Sequence, residues 1–166
     1  LSSSSAASDV YKRQVVNQGS VTLSGSGVVA LGSGTVRVNP GASLGMNNLS
    51  RVSQSSGGLL VLDGGTLFSV NSGSSAASIW TSLANGILLT ANGGTISYNA
   101  VPGASTVTIF SGAFLGEGGT TTNGGAQTLT KTGTSELRVQ GAQTANYTIA
   151  KLNILGGLYR IGSSTN

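Results

Sequence analysis

The 166-residue chain contains no cysteine and no histidine. Disulfides, thiol nucleophiles, the commonest general base and the usual zinc ligands are therefore all missing together. Charge is scarce as well: four acids and eight bases make up 7% of the residues, against roughly 25% in an ordinary soluble domain. Aromatics reach only 5%, prolines number two, and no run of 18 apolar residues could span a membrane as a helix. Most enzyme templates and zinc-built modules fail on these absences. The high isoelectric point of about 9.9 follows from scarce acids. Arg37, Arg51, Lys131, Arg138, Lys151 and Arg160 are scattered singly, whereas a nucleic-acid site needs a clustered basic stripe.

What fills the chain instead is 27 glycines, many serines and threonines, and evenly spread Val, Leu and Ile. A mean hydropathy of +0.19 argues against charge-driven disorder. Residues 1 to 14, LSSSSAASDVYKRQ, stand apart from this pattern. They resemble the translation of a synthetic sequencing adapter, which makes a non-native or disordered leader the expectation; a Ser-rich terminus is the alternative. With Leu1 as its first residue and no signal-peptide pattern, the chain reads as a fragment.

From Val15 onward the chain punctuates itself. Gly-x-apolar strand starts fall at Gly34, Gly65, Gly94, Gly125 and Gly157, roughly thirty residues apart. Turn dipeptides precede them, among them Asp63-Gly64, Asn92-Gly93, Asn123-Gly124 and Leu155-Gly156, because Asn, Asp and Gly tolerate sharp bends. Short alternating segments lie between: 20–23, 27–31, 58–62, 106–110, 135–139 and 151–155, all of strand character. Only residues 75–86 offer room for a helical turn. The economical architecture is an all-β parallel solenoid of about five coils over residues 15–166, each coil hydrogen-bonded to the next. An antiparallel sandwich is the alternative. Inward candidates are Val36, Val38, Leu60, Leu62, Leu67, Ile96, Tyr98, Leu129, Leu137, Val139, Ile149 and Ile154. At 156–161 strict alternation puts Leu158 and Ile161 on opposite faces, so a bulge or one-residue shift is expected there.

Over residues 129–161 the chain resembles the autotransporter-associated passenger repeat. Leu129, Lys131, Gly133, Leu137, Val139, Gly141, Tyr147, Thr148, Ile154, Gly157 and Leu158 occupy that family's places. Ser135 stands where a second glycine is common, and Ile149 replaces the glycine usual after Tyr-Thr. The resemblance implies a right-handed parallel β-helix passenger. It also implies export from a Gram-negative cell through a C-terminal outer-membrane barrel of the same polypeptide, and a place outside the cell or on its surface.

Few residues offer chemistry. Asp63 could serve a polysaccharide lyase, yet it shares the turn pattern of Asn92 and Asn123 and reads as a corner residue. Glu117 and Glu136 each lack a second acid within six residues, which disfavours calcium binding and two-carboxylate glycoside hydrolysis. Lys131 and Glu136 read as solvated surface positions or as a pair across a corner. Trp80 could stack on a sugar ring or plug the solenoid flank. Thr35, Thr66 and Thr95 suggest an outward ladder, but Arg37, Phe68 and Ser97 stand two residues on and argue against an ice-binding face. The expectation is a non-catalytic spacer with no cofactor, no metal site and no assignable ligand site. A carbohydrate-binding adhesin, with surface glycans as possible partners, is the alternative, and a lyase or hydrolase a weaker one.

Overall fold

The computed structural model describes residues 13–23, 29–30, 34–46, 52–53, 58–69, 78–80, 86–99, 107–110, 114–116, 127–139 and 151–161. The leader's residues 1–12 lie outside this set, while Arg13 and Gln14 open the first strand. In chain order the strands are β1 (Arg13–Val16), β2 (Gly19–Leu23) and β3 (Val29–Ala30), then β4 (Thr35–Val38), β5 (Ala42–Met46) and β6 (Val52–Ser53). Next come β7 (Leu59–Leu62), β8 (Thr66–Ser69) and β9 (Ser78–Trp80), followed by β10 (Ile87–Leu89), β11 (Gly94–Ser97) and β12 (Val107–Phe110). The chain continues through β13 (Phe114–Gly116), β14 (Thr128–Thr132) and β15 (Glu136–Val139) to β16 (Lys151–Ile154) and β17 (Leu158–Ile161).

Every pairing between these strands is parallel, and each joins a strand to its counterpart one lap away. The first sheet runs β1-β4-β7-β10-β13, the second β2-β5-β8-β11-β14-β16, and the third β9-β12-β15-β17, with β3-β6 forming a small fourth. The fold is therefore an all-β parallel solenoid, with no helix among the described residues, and the antiparallel alternative falls. Residues 78–80, inside the segment with room for a helical turn, are strand. Three successive laps, β7 to β15, place a strand in each of the three large sheets. The fully three-faced part is thus about three turns rather than five, and the outer strands extend individual sheets beyond it.

Strands β4, β10, β11, β13, β14 and β15 bury alternate residues, as a pleat with one face on a core requires, while β7 also buries the outward Val61. Val36, Val38, Leu60, Leu62, Leu67, Ile96, Tyr98, Leu129, Leu137 and Val139 are buried as their alternation predicts. Leu44, Ile87, Leu89 and Phe114 join them. Ile149 lies outside the described residues. Ile154 departs from expectation: it is 50% exposed, because its column ends there. At β17 neither a bulge nor a shift is present. Tyr159 pairs with Leu137 and Ile161 with Val139, so these two continue the inward columns while Leu158 stands outward beside Glu136.

The alignment of glycines does not survive. Gly34 precedes a first-sheet strand, Gly65 and Gly94 mark the second sheet, and Gly157 precedes a third-sheet strand. Gly125 lies outside the described residues. The even step of about thirty residues comes from jumping between faces. True laps vary: Ser43 to Thr66 takes 23 residues, Thr66 to Thr95 takes 29 and Thr95 to Thr130 takes 35. Their strands stay in register while the chain between them changes length, a tolerance that loop closure grants at small entropic cost.

Candidate functional site

Among the described residues three groups of polar side chains tie one lap to another, and a further bond runs from Asn39 Nδ2 to Asn17 Oδ1 at 2.7 Å. The first is the corner between the first and second sheets. Asp63 follows β7 and Asn92 lies one lap on, each before a glycine at positive φ, Gly64 and Gly93, as their turn chemistry predicts. Arg37 Nη2 donates to Asp63 Oδ2 at 2.8 Å and Arg37 Nε to the same oxygen at 3.2 Å. Thr90 Oγ1 and Asn92 Nδ2 both donate to Asp63 Oδ1, the latter at 2.9 Å. One carboxylate thus bonds the laps before and after its own. The Thr90 hydroxyl, then Arg37 and Asn92, hold the Asp63 carboxyl below its usual range against the opposing effect of burial. Both oxygens are engaged and a paired cation is already supplied, so this carboxylate fastens neighbouring laps together.

The second place lies in the core. Lys131, expected at the surface, is fully buried. The register explains why: Leu44, Leu67, Ile96 and Lys131 share one inward column. Nζ donates to the carbonyl oxygens of Thr132 at 2.5 Å, Gly133 at 3.2 Å and Gly156 at 3.1 Å. Three carbonyl dipoles replace the ammonium's water shell, and burial pulls the lysine below its ordinary pKa. Gly157 turns at φ 69° beside it, where a Cβ would run into the backbone carbonyl oxygens of Ser135 and Gly133 before it reached Nζ, so the turn next to the ammonium requires glycine. Alternation from Leu129 already puts Lys131 on the inward face; its charge masked that signal.

The third place is the outward side of the third sheet. Glu136 Oε1 accepts from Arg138 Nε at 2.7 Å and lies 3.4 Å from Arg160 Nε on the following lap. Glu136 therefore pairs with these arginines and not with Lys131.

The remaining candidates do not converge. Trp80 shares a register column with Phe110, Val139 and Ile161, in which Val139 is buried and Ile161 is exposed. Glu117 and Asn123 lie outside the described residues. Thr66 and Thr95 are neighbours as expected, but Thr35 belongs to the first sheet and pairs with Leu59. Ser20, Ser43 and Thr130 complete the outward ladder in its stead, a pattern the glycine alignment concealed. The second rank, Gly45, Phe68, Ser97 and Thr132, is interrupted by the aromatic ring. An open hollow of about 320 Å³ lies over β1 and β4, lined by Gln14, Val15, Thr35 and Arg37. No group of three metal-ligating side chains occurs among the described residues.

Comparison with protein-family models, with curated proteins and with solved structures finds no match to this chain. The resemblance over residues 129–161 stands on those residues alone.

Proposed function

We propose that this chain is a non-catalytic structural segment of a secreted or surface-displayed passenger of the autotransporter type. Its stacked laps act as a spacer and folding scaffold that presents adhesive parts elsewhere in the polypeptide. The observation that carries this reading is the destination of the polar side chains. Asp63, Lys131 and Glu136 each reach across to a neighbouring lap. Side chains used in this way hold a rod together, and a rod transmits position. Its partners in this reading are the neighbouring coils and an outer-membrane barrel of the same polypeptide. The motif resemblance over 129–161 supplies the link to export.

The test is a display assay. The chain is placed between an export signal and an outer-membrane barrel in a Gram-negative host, and whole cells are treated with protease. Surface cleavage of the folded segment is the expected result. Accumulation in the periplasm, with a barrel control still displayed alone, overturns the reading.

A further inference from the structure

The chain contains three Asn-Gly dipeptides, Asn85-Gly86, Asn92-Gly93 and Asn123-Gly124. Such a pair carries chemistry of its own. With no side chain to shield it, the glycine nitrogen can close on the asparagine Cγ. A new N–C bond forms, the Cγ–Nδ2 bond breaks, and the displaced nitrogen leaves as ammonia with the proton that the amide gives up. Water then opens the five-membered imide at one carbonyl or the other, leaving aspartate or isoaspartate. Asparagine is thermolabile for this reason. Asn85 and Asn123 lie outside the described residues, so the geometry of both partners is defined at Asn92-Gly93.

Both reacting groups there are held by other partners. The attacking nitrogen, Gly93 N, donates to Thr90 O at 2.9 Å. The carboxamide is turned to the preceding lap, where Nδ2 donates to Asp63 Oδ1 at 2.9 Å, and Asn92 N donates to Thr90 Oγ1 at 3.3 Å. Gly93 is clamped between two laps. Its carbonyl accepts from Gly64 N at 2.7 Å on one side, and a Cβ on it would lie 2.5 Å from Thr128 O on the other. Asn92 itself is exposed, so water reaches it. The corner must open before Gly93 N can turn on Cγ.

The products do not fit the closed corner. Aspartate at position 92 brings a second carboxylate to within hydrogen-bond distance of Asp63, where like charges repel and Arg37 is already paired. Isoaspartate routes the backbone through the former side chain and adds one methylene ahead of Gly93. The neighbours of Gly93 on both laps leave no room for it.

We propose that Asn92-Gly93 is a self-modification site, kept intact by the lap contacts of the Asp63 corner, and that its deamidation unfastens that corner for good. The reaction needs only water and runs in the open corner. Its products then oppose reclosing. Asp63 protects the site by holding the carboxamide, and Thr90 by holding Gly93 N.

Peptide mapping by mass spectrometry tests this, with deamidation at residue 92 followed in the whole chain at mildly alkaline pH, folded and in urea. Residue 92 is expected to deamidate at least about tenfold more slowly in the folded chain, the factor that one hydrogen bond to a charged group confers against opening. Asp63→Ala should raise the folded rate by about that factor and leave the rate in urea unchanged. Val139→Ala, which weakens the third sheet away from the corner, should leave the folded rate at residue 92 as it is. The deamidated chain, separated from its parent by ion exchange, should unfold at a lower urea midpoint. Any of four results overturns the proposal: equal rates folded and unfolded, an Asp63→Ala rate equal to the parent's, a Val139→Ala rate raised as much as that of Asp63→Ala, or a deamidated chain with the parent's midpoint. Should Asp63→Ala lose its strand spectrum, Thr90→Val is measured in its place with the same outcomes required, since it removes the hydroxyl that bonds both Asp63 and Asn92 N.

Discussion

Arg37 and Asp63 face each other across one lap of the solenoid, the guanidinium Nη2 2.8 Å from the carboxylate Oδ2 and 26 residues away in the chain. Arg37 pairs through its backbone with Val61, so its side chain leaves the outer face of the first sheet close to the corner where Asp63 turns. Thr90 and Asn92 reach the same carboxylate from the other side. Three laps are thereby fastened at one atom group.

Acid should loosen this fastening. The folded-state pKa of Asp63 lies below the ordinary value of 3.8, so the unfolded chain takes up its proton first as pH falls. The stability contributed by the carboxylate is complete above 3.8 and is lost as pH drops through the folded value. Urea midpoints measured from pH 7 to pH 2 should fall in that window for the parent, and Asp63→Asn should flatten the fall. At pH 7 Asp63→Ala should cost about 1–2 kcal/mol, a modest figure because Arg37 remains open to solvent. Equal acid slopes in parent and Asp63→Asn would assign the acid sensitivity to other groups.

Lys131 should act in the opposite pH range. Burial lowers its pKa in the folded state below 10.5, so the unfolded chain binds more protons between the two values. Stability therefore rises with pH across that interval and reaches its full value above 10.5. Lys131→Met, which continues the apolar column, should remove the rise. At pH 7 it should stay within about 1 kcal/mol of the parent, relief of the buried charge offsetting the lost carbonyl bonds. Lys131→Ala leaves a cavity and unpaired carbonyls, and should cost about 3 kcal/mol. Denaturant midpoints of the three proteins at pH 7 and pH 10 decide this, and a Met variant that keeps the alkaline rise contradicts it.

Inward and outward positions of one strand should respond very differently to the same charge. Leu67 and Ile96 are fully buried and adjacent in their column, and Thr66 and Thr95 are their outward neighbours. Leu67→Asp and Ile96→Asp place an unpaired carboxylate in the core and should each cost several kcal/mol. Thr66→Asp should shift stability by under about 1 kcal/mol. Thermal unfolding midpoints that do not separate the two classes would remove the stacked core from consideration.

The alternation of strands was legible because it is a local property. Segments 58–62, 106–110, 135–139 and 151–155 each contain a strand, and nearly every inward residue named from them is buried. Which strands stack on which was not legible. A Gly-x-apolar start serves all three faces alike, so Gly34, Gly65 and Gly157 look equivalent in sequence and sit before three different sheets. Strands β1, β5 and β13 are among those that the sequence segments do not include, because RQVV, ASLGM and FLG carry few of the cues of their neighbours. At the polar sites, the Asp63 corner was readable from its Asn92 counterpart. Its bond to Arg37 depends on the register between two laps, which no local pattern encodes. Lys131 is hidden for a different reason: its charge suggests the surface, against the two-residue period that places it inward.

Gly94 offers the most direct check on that register. It opens β11 where the chain turns from the first sheet into the second, and it pairs with Leu129 on the next lap. A Cβ built there would lie 2.6 Å from Leu62 Cβ and 2.9 Å from Leu89 Cδ2, both buried first-sheet residues. The first contact is with a side-chain root, which cannot swing away without moving its backbone. Gly94→Ala should therefore cost about 1–3 kcal/mol through overpacking, although alanine elsewhere in a strand is better tolerated than glycine. Ala42 stands buried in the inward rank of β5, one residue before the partner of Thr66. Ala42→Gly should therefore cost no more than about 1 kcal/mol. Chemical denaturation of the two variants checks the asymmetry: if Gly94→Ala matches the parent midpoint, the first and second sheets do not meet at this corner as described.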